Sequence, residues 1–299
     1  MENVKIAKIC GLCAGCRYAL YTAKSQKLNN KNVTLFKEIV HNKNVNKNLM
    51  ELGINSKDNI EDFSSDEVVI IRAHGEPKST FEYLDKKGIV YFDCTCTNVK
   101  KIHELVEEFS KKGYLNIIIG KYGKKSGVMH PEVLGTAGWS ETEVIFIEED
   151  DDIEKLKKYK NKKFYLTCQT TFNENKADLF IEKIKDILIK NNNIIEVNKS
   201  ICNAQKMINS SSKELAENVD LMLVVGSKHS SNTVELHKNL SKFCRAIFID
   251  DVNKWQELLE SENIILTKDI KIGITAGAST DPEELSALKL MIEKEIKEV

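Results

Sequence analysis

Short runs of apolar, mostly β-branched residues alternate with amphipathic stretches along most of the chain. The runs predict strands at Val68–Arg72, Ile89–Phe92, Leu115–Ile119, Glu143–Ile147, Phe164–Thr167, Leu221–Val225, Ala246–Ile249 and Ile270–Thr275. The stretches between them predict helices such as Val99–Lys112, Asn175–Lys190, Lys213–Asn218 and Glu283–Lys297. Alternation of this kind is typical of an α/β fold, in which helices cover parallel sheets and crossovers are right-handed.

The charge balance narrows the class of partner. The 299 residues include 44 lysines and arginines against 45 aspartates and glutamates. Without a basic surplus we expect no nucleic acid and no acidic membrane surface as a partner, but a small molecule. The chain begins without the features of a secretory signal, and no run approaches the ~20 apolar residues of a membrane span. We therefore expect a cytoplasmic protein.

Eight cysteines are too many to disregard in a reducing compartment, where a disulfide framework is not expected. Most of them stand at the ends of apolar runs, where any single one could simply be a small buried side chain. The close spacings are Cys10-x-x-Cys13-x-x-Cys16 and Cys94-x-Cys96, which also suit zinc. Single cysteines at separate strand ends favour a buried iron–sulfur cluster over zinc, although spacing alone leaves both open.

Polar side chains follow the predicted strands. Arg72 leads into His74, Phe92 into Cys96 and Thr167 into Thr170. Ligands of open α/β sheets bind beyond the carboxyl ends of the strands. The mixture of thiols, imidazoles, hydroxyls and an amide therefore indicates a site for a phosphorylated molecule beside a soft metal centre.

The anion-binding groups are expected where helices begin, because backbone N–H groups there attract phosphate. They are Ser230, Ser231, Asn232 and Ser279, together with the imidazoles of His41, His74 and His130. Each serine or asparagine taken alone could equally be a simple N-cap. His130-Pro131-Glu132 adds a carboxyl that could supply protons for reducing a C–O bond, although this short motif also suits a surface loop.

Nine segments in order resemble one family, the hydroxymethylbutenyl diphosphate reductases (IspH/LytB). They span nearly the whole chain and are Gly11-Leu-Cys13-Ala-Gly, Glu38-Ile-Val-His41-Asn, Ala73-His74-Gly, Asp93-x-Thr-Cys96, His130-Pro-Glu132-Val-x-Gly-Thr, Gln169-Thr170-Thr171, Ile201-Cys202-x-Ala, Val225-Gly-Ser-Lys-x-Ser230-Ser231-Asn232 and Thr275-Ala-Gly-Ala-Ser279.

The resemblance implies three small α/β lobes in pseudo-threefold arrangement around a central, oxygen-sensitive 4Fe–4S cluster. The lobes would comprise residues 14–95, residues 97–199, and residues 1–13 with 200–299. The cluster ligands would be Cys13, Cys96 and Cys202, and the diphosphate would lie on the histidines, serines and asparagine named above. Glu132 and His130 would serve proton transfer, with Thr170 near the substrate hydroxyl.

The implied reaction is the two-electron reductive dehydroxylation of 4-hydroxy-3-methylbut-2-enyl diphosphate to isopentenyl and dimethylallyl diphosphates. Ferredoxin or flavodoxin would deliver the electrons. The sequence also departs from the family, with thiols at Cys10, Cys16, Cys94 and Cys168 near the expected cluster. These thiols could be additional ligands of a larger or second cluster in a paralogue with another substrate, or they could simply pack as small apolar side chains. A protein of a different class, a non-catalytic redox sensor, would also be compatible with a cysteine-bound cluster.

Overall fold

The computed structural model describes residues 3–29, 31–40, 42–226, 231–278 and 280–298. Within these ranges the side chains of Lys43, Asn44, Ser231 and Asn232 are not described.

Twelve strands form among the described residues. In chain order they are β1 Val4–Ile6, β2 Val33–Phe36, β3 Asn55–Lys57, β4 Val68–Ile71, β5 Val90–Asp93, β6 Leu115–Ile119, β7 Val144–Ile147, β8 Lys163–Cys168, β9 Ile194–Asn198, β10 Leu221–Val225, β11 Arg245–Ile249 and β12 Ile272–Ala276. All eight predicted strands are confirmed, with ends shifted by at most two residues.

The α-helices in this part of the chain are α1 Ala14–Leu28, α2 Lys43–Glu51, α3 Lys78–Lys87, α4 Thr97–Lys111, α5 Pro131–Ala137, α6 Asp150–Ile153, α7 Glu174–Lys190, α8 Ala204–Ala216, α9 Ser231–Leu240, α10 Trp255–Ser261 and α11 Pro282–Glu298. Short 3₁₀ turns occupy Ile60–Asp62, Glu154–Lys158 and Val252–Lys254. The helix predicted at Lys213–Asn218 was too short, because it is only the last part of α8. No described helix has the length and apolar character needed to cross a membrane.

The strands make three four-stranded sheets, and every pairing is parallel. Their orders are β1-β12-β10-β11, β3-β2-β4-β5 and β7-β6-β8-β9. The predicted α/β class with small parallel sheets is thus confirmed. Each sheet draws its strands from one of the three predicted lobes, while the lobe boundaries stay a prediction.

The chain divides into two compact units. The first comprises Met1–Arg17, Val40–Glu51 and Asn203–Val299, and the second comprises Tyr18–Ile39 and Leu52–Cys202. The first unit contains the β1-β12-β10-β11 sheet, whose apolar side chains pack with Trp255 and Leu288. The second contains the other two sheets. Continuous burial along β4, β6 and β8 explains why these strands are apolar runs without alternation.

Candidate active site

Several predicted site residues of the second unit lie at the carboxyl ends of its strands. His74 follows β4, and the backbone N–H of Cys96, just after β5, donates to the carbonyl of Ala73 at 3.0 Å. Thr170 follows β8, and its carbonyl accepts a 2.7 Å hydrogen bond from the backbone N–H of Cys202, which follows β9. Cys96 therefore lies next to Ala73, and Cys202 lies next to Thr170, each pair at the carboxyl ends of neighbouring parallel strands.

The turn before Cys96 is fixed by Asp93, whose Oδ1 accepts hydrogen bonds from the backbone N–H of Thr95 at 3.0 Å and from its hydroxyl at 2.5 Å. An aspartate that bonds the backbone two residues ahead holds a tight turn. This explains in physical terms why the Asp-x-Thr-Cys segment has its spacing.

His130 occupies the N-cap of α5. Its Nδ1 accepts a 3.2 Å hydrogen bond from the backbone N–H of Glu132, and Pro131 fills the first helical position. The imidazoles of His130 and His74 meet edge to face, with 5.6 Å between ring centroids. Two of the three histidines predicted to bind diphosphate thus lie side by side.

Two glycines permit this approach. Gly75 has a φ of +73°, and a Cβ there would lie 2.6 Å from the ring of His103. A Cβ on Gly135 would lie 3.0 Å from the carbonyl oxygen of Gly75. Because both positions lack a side chain, α5 packs directly against the loop that carries His74.

Glu132 is the central acid of this group. It is 2% exposed. Its Oε1 accepts from the backbone N–H of Thr170 at 2.5 Å, and its Oε2 accepts from the Thr170 hydroxyl at 2.8 Å. Burial raises the pKa of Glu132 to about 7, although both Thr170 hydrogen bonds act in the opposite direction. A carboxyl in this state can take up and release a proton near neutral pH.

The three predicted cluster ligands share one local setting. Cys13 directly precedes α1, Cys96 is the N-cap of α4, and Cys202 precedes Asn203, the N-cap of α8. All three thiols are half-buried. The positive end of a helix dipole favours a thiolate, which is the form that binds metal.

Two of these sulfurs have described polar neighbours. The Cys16 thiol, the backbone N–H groups of Cys16 and Gly15, and the Arg17 charge lower the pKa of Cys13 to about 6, against opposition from burial. Asn98 Nδ2 lies 3.8 Å from the Cys202 sulfur. Asn98 was not among the predicted residues, and its place in the first turn of α4 gave no sequence signal.

Three of the four additional thiols have a different setting. Cys10, Cys94 and Cys168 are buried, with exposures of 8%, 1% and 1%. Burial raises the pKa of each, to about 11 for Cys10 and about 12 for Cys168. Cys10 donates to the carbonyl of Ala7 at 3.2 Å, and Cys168 packs in the apolar core of its sheet. Of the four, only Cys16 is half-buried and next to a predicted ligand.

The donor chemistry fits an iron–sulfur cluster, which is held by cysteine thiolates. The three half-buried thiols at helix starts supply such donors. Cys96 and Cys202 belong to the second compact unit and Cys13 to the first. Within the described ranges no three His, Cys, Asp or Glu side chains are grouped as a metal site, so the ligand set stays a prediction.

The acidic run Glu148–Asp152 has the composition of a solvated connection, but part of it is buried. Asp152 is fully buried, and its Oδ1 accepts 2.8 Å hydrogen bonds from Lys124 Nζ and the Tyr122 hydroxyl. Glu148 Oε2 accepts from the backbone N–H groups of Gly123 and Lys124 at 3.0 Å. The acids therefore hold the loop that leads to His130. Burial alone would raise the pKa of Asp152, but its lysine and backbone partners hold it well below its usual range.

Five predicted diphosphate ligands cannot be placed. His41, Ser230 and Ser279 lie outside the described residues, and Ser231 and Asn232 begin α9 with side chains outside them. The described neighbours show a close backbone approach in the first unit, because a Cβ on Gly277 would lie 2.1 Å from the Thr233 hydroxyl oxygen. The β12 end and the start of α9 are thus packed together.

Comparison with known proteins agrees with this geometry. The LytB protein family model matches residues 4–292. A protein of Clostridioides difficile (strain 630) named 4-hydroxy-3-methylbut-2-enyl diphosphate reductase is 35% identical over 279 residues, covering 93% of this chain and 94% of that protein. A Helicobacter pylori (strain P12) protein of the same name is 30% identical over 281 residues, with 93% and 94% coverage.

Solved structures match over the same length. One, described as (E)-4-hydroxy-3-methyl-but-2-enyl diphosphate reductase, the terminal enzyme of the non-mevalonate pathway, has a TM-score of 0.78 at 32% identity and covers 99% of this chain and 100% of its own. The Plasmodium falciparum E-1-hydroxy-2-methyl-but-2-enyl-4-diphosphate reductase has a TM-score of 0.73 at 26% identity, with 97% and 87% coverage.

The parallel sheets and the similarity to proteins named as reductases make this chain an α/β oxidoreductase. The chain belongs to the LytB protein family, as its motifs predicted.

Proposed function

We propose that this chain is a 4-hydroxy-3-methylbut-2-enyl diphosphate reductase, the activity for which its relatives are named. The reaction replaces the allylic C–O bond with a C–H bond. It consumes two electrons and two protons, releases water, and yields isopentenyl and dimethylallyl diphosphates. The observation that carries the proposal is the buried Glu132–Thr170 pair beside His130, since this reaction needs a proton donor shielded from water.

Glu132 is the proton donor in this proposal. With a pKa of about 7 it is partly protonated at neutral pH. The Thr170 hydroxyl donates to the Glu132 carboxylate at 2.8 Å, so it can carry a proton between that carboxyl and the substrate oxygen. Because the His130 Nδ1 accepts from the backbone N–H of Glu132, its Nε2 carries the ring proton, which it can donate to a phosphate oxygen.

The proposed diphosphate ligands include the two paired imidazoles. His74 and His130 supply donors, and their edge-to-face packing fixes the ring orientations. The other proposed ligands are His41, Ser230, Ser231, Asn232 and Ser279. Ser231 and Asn232 begin α9, where unpaired backbone N–H groups favour an anion.

Cys13, Cys96 and Cys202 would hold a 4Fe–4S cluster, leaving one iron without a protein ligand for the substrate oxygen. When bound, the cluster supplies the electrons and polarises that oxygen. We assign Cys10, Cys94 and Cys168 to packing, because burial disfavours their thiolates. This assignment favours a single 4Fe–4S cluster over a larger or second cluster.

Ferredoxin or flavodoxin is the proposed electron donor. We also propose a cytoplasmic location, because the eight cysteines are not expected to form a disulfide framework. Within the same class, a paralogue acting on another allylic diphosphate is the second candidate. A non-catalytic sensor has less support, because sensing would not need the buried acid.

The test measures iron and acid-labile sulfide on anaerobically reconstituted protein, followed by turnover with a chemical reductant. About four of each per chain and formation of both isomeric products are expected. Cys202→Ala should lose most of the iron, whereas the matched control Cys168→Ala should keep it. Full iron in Cys202→Ala, or none of the two products from fully loaded protein, would refute the proposal.

A further inference from the structure

Cys13 and Cys16 form a thiol pair at the start of α1. Cys13 lies directly before the helix, and Cys16 is its third residue. The Cys13 sulfur accepts hydrogen bonds from the Cys16 thiol and from the backbone N–H groups of Gly15 and Cys16. The two thiols are therefore in direct contact, with only Ala14 and Gly15 between them.

The pair is also accessible to a reagent. Both thiols are half-buried, and the residue that follows Cys13, Ala14, is exposed. Cys-x-x-Cys pairs at a helix N-terminus are a recurring setting for thiol–disulfide exchange. The hydrogen bond from Cys16 places the second sulfur where it can attack the first.

The other closely spaced pairs do not share this geometry. Cys10 has the same spacing from Cys13, but its thiol donates to the Ala7 carbonyl and is packed in the core of the first unit. Cys94 lies two residues from Cys96, but it is 1% exposed. Only the Cys13–Cys16 pair thus combines contact with access.

We propose that Cys13 and Cys16 form a reversible intrachain disulfide when the chain carries no cluster, a modification that rests on the proposed role of Cys13 as a cluster ligand. The oxidant is a small-molecule disulfide. The Cys13 thiolate attacks one of its sulfurs and releases the first small thiol, which leaves a mixed disulfide. The Cys16 thiol then loses its proton and attacks the Cys13 sulfur, which releases the second small thiol.

In this exchange one small-molecule disulfide is reduced to two thiols for each Cys13–Cys16 disulfide that forms.

The Cys13–Cys16 disulfide would affect how the chain is loaded with its cluster. A sulfur in a disulfide cannot ligate iron, so the oxidised chain accepts a cluster only after reduction. The disulfide also keeps Cys13 from the irreversible sulfinic and sulfonic states. Cys16 is then a protecting thiol rather than a fourth ligand.

The experiment uses the full-length, cluster-free chain equilibrated with mixtures of oxidised and reduced glutathione under anaerobic conditions. Remaining thiols are alkylated, and linkages are mapped by peptide mass spectrometry. In wild type, the peptide that contains Cys13 and Cys16 should show the linkage between them without bound glutathione. Cys16→Ser should instead carry one glutathione on Cys13. The matched control Cys10→Ser should behave as wild type.

A Cys13–Cys10 linkage, a Cys13 that stays reduced in the most oxidising mixture, or an intrachain Cys13 disulfide in Cys16→Ser would overturn the proposal. The ligand role is separated by reconstituting Cys13→Ala and measuring its iron. Full iron there would refute the role of Cys13 as ligand while leaving the mapped linkage as it is. Loss of iron together with no linkage in wild type would refute the disulfide alone.

Discussion

Replacing Glu132 with glutamine should remove the pH dependence that this one buried carboxyl imposes on stability. The pKa of Glu132 rises from an ordinary 4.5 to about 7, chiefly because burial penalises the charged form. Each pKa unit corresponds to about 1.4 kcal/mol, so ionised Glu132 should destabilise the native chain by about 3 kcal/mol. Below pH 4.5 the carboxyl is neutral in both states and the penalty is absent. It grows as pH rises and is complete above about pH 7.

Glutamine keeps the size of the side chain and remains neutral at every pH. Its oxygen can accept from the Thr170 backbone N–H, and its amide can donate to the Thr170 hydroxyl. Glu132→Gln should therefore match wild type at pH 4, exceed it by under about 1 kcal/mol near pH 5, and exceed it by about 3 kcal/mol at pH 8. The measurement is urea unfolding of the cluster-free chain, monitored by circular dichroism at several pH values.

The difference in the free energy of unfolding between Glu132→Gln and wild type isolates the effect of Glu132 from that of other titrating groups. Burial lowers the pKa of His103 to about 4, so stability is also lost as pH falls from 6.5 towards 4, equally in both chains. Glu141→Gln, at an exposed carboxyl, is the matched control and should change stability little. If the Glu132→Gln and wild-type curves run parallel from pH 5 to pH 8, the carboxyl is not held protonated and the proposed proton donor loses its basis.

Three further changes test the surroundings of the site. Asp152→Asn should lower the free energy of unfolding by about 2 kcal/mol, because it removes the buried charge that holds the loop before His130. Asp151→Asn, at an exposed carboxylate, should lower it by under about 0.5 kcal/mol. Equal losses in urea unfolding would contradict this difference. Gly75→Ala should lower the free energy of unfolding by about 2–4 kcal/mol, because the backbone there is left-handed and a Cβ would meet the buried imidazole of His103. Gly88 is also left-handed but lies in open space, so Gly88→Ala should lower it by about 1 kcal/mol. A similar loss in both variants would show that the close approach at Gly75 is not rigid. Thr170→Val removes one hydrogen bond that stabilises ionised Glu132, so the pH at which the loss of stability levels off should move up by roughly half a unit, and no change in that pH would contradict the contact.

The sequence predicted the parallel sheets well because their central strands are buried on both faces. Ile117, Ile118 and Ile119 are all buried, so β6 is a continuous β-branched run that no amphipathic helix would show. Four strands were missed; β1 and β3 lack this signal, whereas β2 is buried along its whole length as β6 nearly is. β3 reads Asn-Ser-Lys at a sheet edge, and β1 has only three residues. Their pairing depends on partners distant in sequence.

The residue types of the proposed site come from the sequence, but their burial and hydrogen bonds could not be predicted from it. The three-residue segment His130-Pro-Glu132 equally suited a surface loop, and only the packing around Thr170 makes Glu132 a buried acid. The acidic run ending in Asp152 has the composition of a surface, yet Asp152 is fully buried. Its burial follows from Lys124 and Tyr122, which reach it from a loop 28 and 30 residues earlier in the chain.

The thiols show most clearly what local structure adds to spacing. Cys10 and Cys13 each stand three residues before another cysteine, yet Cys13 lies at a helix start with a pKa of about 6 and Cys10 lies in the core with a pKa of about 11. This difference amounts to about five orders of magnitude in the equilibrium between thiol and thiolate. We therefore expect a cluster or a disulfide exchange to involve Cys13 before Cys10. The eight cysteines are alike in sequence, and we expect their positions relative to helix starts to distinguish the proposed ligands from the packing residues.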